Sequence, residues 1–350
     1  MQKRITNSFA FFLLAISSVT AQQPAVTKIA FGSCGHQNDP QPVLSLAADQ
    51  KPDAFIFLGD NIYGDTDDMK VLQAKYAKLG AKAEYKKLAS STKILATWDD
   101  HDYGRNDAGK EYPFAAESKE LFLQFFNEPA NSERRKHKGI YHTEYIKTGG
   151  KTVQVILLDN RSFRNGVLQY DTSARLPRKK YFYKLDYQPH TTADSTLLGA
   201  EQWAWLEGEL QKPADLRLIC SGSQFGIEFN GYEAWANFPH EQKRMLELIK
   251  KTKANGVIFL TGDVHYAEIS KLEEEALYPI YDVTSSGITS TWDFATANSN
   301  RIEGPVMENN FGLLTITWEK DPVIKMQIID KKNNSRIEYT IQKSEIEFQR

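Results

Sequence analysis

Four short segments of this sequence concentrate side chains that bind metal ions, and each lies at the end of a run of apolar residues. They are FGSCGH (31–36), GDNIY (59–63), TWDDHDYGRND (97–107) and GDVH (262–265). A carboxylate such as Asp60 can bridge two cations, and Tyr63 is near enough to offer its phenolic oxygen to the same centre. Asp263 and His265 are two residues apart, so an extended backbone points both side chains the same way. An imidazole beside a carboxylate suits iron, zinc or manganese.

The other two segments offer donors of different softness. The thiolate of Cys34 suits ferric iron or zinc, whereas the oxygens of DDHD (99–102) and Asn106 suit calcium or magnesium. Each residue alone has an ordinary alternative role: a small buried hydrophobe for Cys34, a turn residue for Asn106, and helix caps for the aspartates. Their shared position at strand ends favours a single metal site.

Apolar runs that stop at polar residues predict a set of buried strands. The runs lie at 26–36, 53–63, 93–102, 153–162, 216–224 and 256–266. Helical patterns lie between several of them, at about 66–90, 114–127, 199–211 and 239–254. Strands that alternate with helices indicate an α/β fold, in which ligands bind beyond the carboxyl ends of the strands. The metal-binding segments stand where such a fold builds its site.

Shorter patterns predict the remaining elements. Residues 139–159 read as a β-hairpin with Gly149 and Gly150 in the turn. Residues 170–196 lack periodicity and predict a surface insertion near or over the site. After residues 278–289, the segments FGLLTITW (311–318), VIKMQIID (323–330) and RIEYTIQ (336–342) alternate like antiparallel strands. No shift in composition marks a linker, so we expect one catalytic domain over residues 22–350.

The amino-terminal residues have the pattern of a signal peptide. Lys3 and Arg4 precede an apolar stretch over 9–19, which is too short to span a bilayer, and small residues lead to Ala21. We expect cleavage there, a signal peptide over residues 1–21, and export to the periplasm or the medium with no remaining transmembrane segment. The alternative is a buried amino-terminal helix.

The net charge bears on which binding partners to expect, and the two cysteines bear on disulfide formation and metal binding. The net charge of −2 over 350 residues offers no global field for nucleic acid or an anionic membrane. We expect no nucleic-acid-binding module and a monomeric protein. Cys34 and Cys220 could pair as a disulfide in an oxidising compartment, but the metal role of Cys34 is the interpretation we favour.

Taken together, the motifs resemble those of the PhoD-like alkaline phosphatases, a branch of the calcineurin-like metallophosphoesterases. The resemblance runs from FGSCGH through FLGDNIYGD, TWDDHDYGRND, LLDNRSFR and GAEQWAWL to LTGDVHYAEI. It implies a four-layer αββα sandwich with two mixed sheets and the metals at the sheet edges. It also implies Fe3+ held with Ca2+, although other divalent metals are alternatives.

The resemblance also implies a set of ligands. The iron ligands would be Cys34, Asp60, Tyr63 and His265, and the calcium ligands would be Asp60, Asn106 and Asp263. This chain departs from the family pattern in two ways. Many members carry an extra amino-terminal β-domain, whereas here the predicted signal peptide is followed almost directly by the first predicted catalytic strand, and the usual GNH triplet reads DDH. The middle ligand therefore falls on Asp100 or Asn106. We favour Asn106, with Asp99, Asp100 and His101 orienting the ligands.

The expected reaction is hydrolysis of small or polymeric phosphate esters by a metal-bound hydroxide, without a serine nucleophile. Asp100 would support the site, and the leaving oxygen would be protonated by water or, if its ring faces the pocket, by His101. Arg161 would contact phosphate, unless it forms a structural ion pair with Asp159. Arg105 is a further candidate for phosphate contact. We expect phosphomonoesters to be attacked, with phosphodiesters as additional substrates. The alternatives are an enzyme that acts chiefly on diesters, like a phospholipase D, and a non-catalytic exported metal-binding protein.

Overall fold

The computed structural model describes residues 24–169, 187–228 and 231–349. The predicted signal peptide and most of the predicted insertion over 170–196 lie outside these residues. None of the described helices is long and apolar enough to cross a membrane.

Two large β-sheets form the centre of the fold. In chain order the strands are β1 (Ala25–Gly32), β2 (Ala54–Leu58), β3 (Lys93–Thr97), β4 (His142–Thr148), β5 (Lys151–Leu157), β6 (Leu168–Gln169), β7 (Tyr187–Gln188), β8 (Leu216–Ser221), β9 (Val257–Thr261), β10 (Ala267–Leu272), β11 (Ile280–Ser285), β12 (Arg301–Val306), β13 (Asn310–Trp318), β14 (Val323–Asp330) and β15 (Ser335–Gln342). The six-stranded sheet has the order β15-β14-β13-β1-β2-β3, and the seven-stranded sheet has the order β12-β10-β11-β9-β8-β5-β4. Both sheets mix parallel and antiparallel pairs.

Helices cover the outer face of each sheet. They are α1 (Pro42–Asp49), α2 (Met69–Ala81), α3 (Ala83–Ser91), α4 (Asp100–Tyr103), α5 (Ala115–Phe125), α6 (Gly199–Leu210) and α7 (Pro239–Thr252). Residues of α1, α2, α3 and α5 pack with Phe55 and Phe57 of β2 in one core cluster. Residues of α6 and α7 belong to the other large cluster, which also fills the space between the two sheets. The predicted four-layer αββα sandwich is confirmed.

The local predictions agree with the structure except at three helices. The pattern over 66–90 forms two helices rather than one, because the backbone at Lys82 is extended and turns the chain so that α3 packs on α1. The prediction missed α1, which has only eight residues, and the single turn of α4. The predicted hairpin is confirmed as β4 and β5, with positive φ at Gly149 and Gly150 in the turn.

The fold brings the ends of two sets of parallel strands together. Strands β1, β2 and β3 run parallel in one sheet, and β5, β8 and β9 run parallel in the other. Cys34 and Asp60 follow the ends of β1 and β2, whereas Asp263 and His265 follow the end of β9. The main-chain N–H of Cys34 donates to the carbonyl of Gly59 over 3.3 Å, which ties two of these strand ends together.

Candidate metal centre

The backbone at the strand ends is held in an unusual conformation. Cys34, Asp60, Asp263 and His265 all have positive φ, with values of 60°, 49°, 76° and 56°. Residues other than glycine rarely adopt this left-handed region, and such strain persists only where the surrounding structure enforces it. Four strained residues where the strand ends of the two sheets meet therefore indicate a functional site.

Three predicted iron ligands lie together. The Sγ atom of Cys34 is 3.3 Å from Oδ2 of Asp60, and the phenolic oxygen of Tyr63 is 3.2 Å from Nε2 of His265. One ligand atom each from Cys34, Asp60 and His265 lies within 4.8 Å of the others. A single cation can be reached by all three, and Tyr63 stands beside the imidazole.

A second group shares Asp60 with the first. One carboxylate oxygen each from Asp60, Asp99, Asp100 and Asp263 lies within 4.8 Å of the others. Among the residues that the structure describes, Oδ1 of Asp60, Oδ2 of Asp99 and Oδ1 of Asp100 are buried and have no hydrogen-bond partner. Buried acceptors without donors are costly, and a hard cation satisfies them. The donor set fits a metal ion.

The electrostatics of the acidic group, which consists of Asp60, Asp99, Asp100 and Asp263, also indicate a metal site. Burial raises the pKa of Asp60 well above its usual value, and the nearby charges of Cys34 and Asp100 raise it further. Burial also raises the pKa of Asp263 well above its usual value, with added repulsion from Asp99. A bound divalent or trivalent cation would reverse this effect and keep the carboxylates charged.

The sulfur of Cys34 is fully buried, and burial raises its pKa to about 12, against the opposing effect of a hydrogen bond with Ser286. The Ser286 hydroxyl lies 3.1 Å from that sulfur and also accepts the main-chain N–H of His265 over 2.9 Å. A thiol in this setting becomes a thiolate when a metal replaces its proton. Cys34 and Cys220 are both free, so they do not form the disulfide considered above.

The two histidines at the site are in different protonation states. Burial, together with the charge of His101, lowers the pKa of His265 to about 4, which favours the neutral imidazole that binds metals. Burial by itself lowers the pKa of His101, but Asp60, Asp65 and Asp100 together raise it to about 10. His101 Nδ1 lies 2.7 Å from an oxygen of Asp65, which orients the ring.

Arg161 differs from both of our sequence-based interpretations. Its side chain is only 1% exposed and forms ion pairs with Asp99 and Glu233. The Asp159 carboxylate instead accepts the main-chain N–H groups of Arg161 and Ser162. Arg161 therefore neutralises and orients Asp99, whereas we expected it to contact phosphate. Glu233 is far away in sequence, which is why this pairing was not foreseen.

Asn106 is exposed, and its side-chain amide donates to Asp107 over 2.7 Å. Asp100, in contrast, is buried within the acidic group, and its Oδ2 accepts the main-chain N–H of Asp107 over 2.7 Å. The structure brings Asp100 together with Asp60 and Asp263, and both Asp100 and Asn106 stay candidates for the middle ligand. Arg105, the further candidate, is exposed and pairs with Asp67.

Three residues at the site were missed by sequence reasoning: Ser286, Asp107 and Glu233. Ser286 follows the end of β11, so the strand-end rule could have found it. Asp107 lies in the segment already singled out, but nothing in its type separates it from its neighbours. Glu233 lies in a loop without strand or motif, and only its contacts with Arg161 and Arg164 reveal it.

A sequence profile of PhoD-like phosphatases matches residues 29–348, which is nearly all of the described chain. The chain belongs to this family. Alkaline phosphatase D from Bacillus subtilis (strain 168) is 23% identical in an alignment over 313 residues, which covers 77% of this chain and 50% of that protein. This PhoD-like chain thus spans about half the length of the curated relative it matches.

Solved structures share the fold of this PhoD-like chain. The structure of PhoD matches with a TM-score of 0.71 and 19% identity, over 93% of this chain and 71% of that one. Purple acid phosphatase PPD1 from yellow lupin seeds (Lupinus luteus) matches with a TM-score of 0.59 and 13% identity, over 91% and 54% of the two chains. A dimetal phosphatase from Danio rerio matches with a TM-score of 0.54 and 13% identity, over 92% and 99%.

Proposed function

We propose that this chain is a metal-dependent hydrolase of phosphoric esters, of the alkaline phosphatase type. The observation that carries the proposal is the sharing of Asp60 between two groups of ligand atoms, one with Cys34 and His265 and one with Asp100 and Asp263. A carboxylate in that position would help to hold two cations, and paired cations would supply the charge neutralisation needed for attack on phosphate esters. Membership of the PhoD-like phosphatase family supports the same activity.

The donor types support Fe3+ at one position and Ca2+ at the other. A thiolate, a phenolate and an imidazole suit ferric iron, so Cys34, Tyr63 and His265 would hold it together with Asp60. Carboxylate oxygens suit calcium, so Asp100 and Asp263 would hold it together with Asp60. Other divalent ions with the same preference for oxygen would also fit this second position. Asp99 is already paired with Arg161, and its remaining oxygen faces the same group.

Side chains of this protein would donate a proton to the leaving group and orient the metal ligands. Bound cations would supply neutralisation of the phosphoryl oxygens and activation of water. His101, with a pKa raised to about 10, carries a proton at neutral pH and lies beside Asp60 and Asp100. It is suited to protonate the leaving oxygen, and Asp65 fixes its ring for that task. The ion pair with Arg161 holds the carboxylate of Asp99 in place.

The experiment compares Asp60→Asn with Asp67→Asn, an exposed aspartate that pairs with Arg105. Both proteins are loaded with iron and calcium and assayed on a phosphomonoester and a phosphodiester. Asp60→Asn should lower kcat/KM by at least about 1,000-fold, which corresponds to the several kcal/mol that a metal supplies to the transition state. Asp67→Asn should stay within about twofold of wild type. Equal turnover by wild type and Asp60→Asn would contradict the proposed site, and the two substrates separate monoesterase from diesterase activity.

Export and a monomeric state are also proposals. Export is supported by the basic, apolar and small-residue pattern of residues 1–21. Amino-terminal sequencing of the protein recovered outside the cytoplasm should find a start at Gln22. An unprocessed Met1 start in the same fraction would contradict cleavage, and light scattering of the purified protein tests the monomer.

A further inference from the structure

A cluster of partly exposed aromatic rings borders the imidazole of His265. The ring of Trp292 lies 5.3 Å from that imidazole, measured between ring centroids. Phe294 stacks on Trp292 with centroids 5.0 Å apart and an angle of 10°, and Tyr232 lies 4.9 Å from Trp292 on another side. We call Tyr232, Trp292 and Phe294 the aromatic rim. All three side chains are partly exposed, and so is His265.

The loop that carries Trp292 is tied to the metal centre by its main chain. The N–H of Ser290 donates to the carbonyl of Cys34 over 3.1 Å, and the N–H of Trp292 donates to the carbonyl of His265 over 3.0 Å. On the far side, the Thr296 hydroxyl lies 2.8 Å from the phenolic oxygen of Tyr266. The position of Trp292 is therefore fixed relative to two proposed iron ligands. A pre-formed surface of this kind loses little conformational entropy when it binds a ligand.

The third member of the rim is also held by the site. Tyr232 precedes Glu233, whose carboxylate forms ion pairs with Arg161 and Arg164. Because Arg161 also pairs with Asp99, the residue next to Tyr232 in the chain belongs to the same ion-pair network as the acidic group. Most of the other side chains around the centre are carboxylates, histidines and arginines, with Cys34, Tyr63 and Ser286 among them. The rim is thus an apolar surface beside these mostly polar groups.

Resting on the phosphoric ester hydrolase function proposed above, we propose that Trp292, with Tyr232 and Phe294, binds the alcohol part of the ester and favours alcohols that carry a flat ring. A phosphoryl group held beside His265 places the rest of the ester within a few bonds of Trp292. A flat, uncharged ring gains from contact with aromatic side chains and is not attracted by the charged side chains around the metals. The substrate class is therefore aryl or nucleoside phosphates.

The test uses pairs of esters that differ only in the ring. Adenosine 5′-monophosphate and ribose 5-phosphate are esters of the same kind of primary alcohol, and only the first carries a base. Stacking on one side chain corresponds to a change in affinity of about tenfold. In Trp292→Ala, the ratio of kcat/KM for the nucleotide over the sugar phosphate should fall about tenfold, through KM rather than kcat.

Control variants distinguish the loss of the aromatic ring at Trp292 from a general effect of the substitution on the fold. Trp205→Ala removes a partly buried tryptophan on α6 that packs on Tyr141, and it should keep the wild-type ratio. Trp292→Phe keeps a ring and Trp292→Leu keeps only the bulk, so the ratio should fall in the order Trp, Phe, Leu. A second pair, benzyl phosphate and cyclohexylmethyl phosphate, distinguishes a general preference for flat rings from recognition of a nucleoside.

Binding is measured separately from turnover by calorimetric titration with two phosphonates. They are the analogues of adenosine 5′-monophosphate and ribose 5-phosphate in which a methylene replaces the ester oxygen. The adenosine phosphonate should bind wild type about tenfold more tightly than Trp292→Ala, with a smaller change for the ribose phosphonate. An unchanged preference in Trp292→Ala, in both binding and turnover, would overturn the inference. Binding that depends on Trp292 without hydrolysis of any ester would retain the inference and refute the proposed hydrolase function.

Discussion

At the level of single side chains, Asp60 is central because its carboxylate belongs to both groups of ligand atoms. Its neighbours differ in softness, with a thiol at Cys34 and carboxylates at Asp100 and Asp263. This difference divides one continuous cluster into two positions that suit different ions. Two predictions at this scale test which residues define each position.

Cys34→Ala should lose the ion of the softer position, because alanine leaves only oxygen and nitrogen donors there. We expect the iron content to fall, together with any visible absorption from charge transfer between ferric iron and its thiolate and phenolate ligands. Cys220→Ala is the matched control, since Cys220 is equally buried but lies within β8. Elemental analysis and an absorption spectrum of the two variants decide the outcome. Equal iron content in both variants would refute the role of Cys34.

Asp100→Ala and Asn106→Ala distinguish the two candidates for the middle ligand. Asp100 is buried beside Asp60 and Asp263, whereas Asn106 is exposed and bonded to Asp107. We expect Asp100→Ala to weaken calcium binding and activity by at least about 100-fold, as the loss of a ligand or its supporting partner does. Asn106→Ala should stay within a few-fold of wild type. Calcium titration of activity measures both, and the reverse order would restore our sequence-based preference for Asn106.

At the level of secondary-structure elements, the turns after the parallel strands position the ligands. The end of β2 shows how closely the elements approach, because Gly59 has a φ of 103° and lies against the main chain of Asp99, which follows β3. A Cβ atom at Gly59 would lie 2.5 Å from the Cβ atom of Asp99 and 2.8 Å from its nitrogen. The turn of β2 and the start of α4 can therefore meet only through a glycine.

Gly59→Ala should destabilise the protein, because it combines an unfavourable φ with a backbone clash. We expect a loss of about 2–4 kcal/mol in the free energy of unfolding, measured by urea titration. Gly208→Ala is the control, since Gly208 lies within α6 and a Cβ atom there would meet nothing within 4 Å. That variant should gain up to about 1 kcal/mol from its higher helix propensity. Similar stabilities for the two variants would contradict the close approach at Gly59.

At the level of the whole molecule, the site places buried carboxylates of like charge between two sheets. Asp60, Asp99 and Asp100 are each at most 3% exposed, and Arg161 offsets part of their charge. The remaining repulsion is a cost to the folded state that bound cations remove. Folding and metal binding are therefore linked.

Removal of the metals should lower the melting temperature of the protein by several degrees. At a free ion concentration about 1,000 times Kd, binding to the folded state alone contributes about 4 kcal/mol. Calorimetry before and after dialysis against a chelator, followed by addition of iron and calcium, measures the effect and its reversal. Asp263→Asn should show a smaller shift than wild type, while Asp67→Asn should show the full shift. A melting temperature that does not respond to metal in wild type would contradict this linkage.

Much of the site was predictable because its ligands follow strands in the chain itself. Cys34, Asp60 and Asp263 each follow an apolar run, and such positions lie at the carboxyl ends of parallel strands, where α/β folds bind ligands. The hairpin of β4 and β5 was predictable for a similar reason, because its pattern and its Gly149–Gly150 turn are local. Local patterns thus determined the strands, the candidate ligands and the family resemblance.

Only the tertiary structure decided which of these residues meet. Asp99, Arg161 and Glu233 come from three distant segments, and no local pattern records that they form one ion-pair network. The approach of Asp100 to Asp60 and Asp263 depends on how the two sheets meet, and the place of Trp292 beside His265 depends on a loop between β11 and β12. The physical reason is that side-chain type and spacing set what a residue can bind, while distances across the fold result from packing of the whole chain.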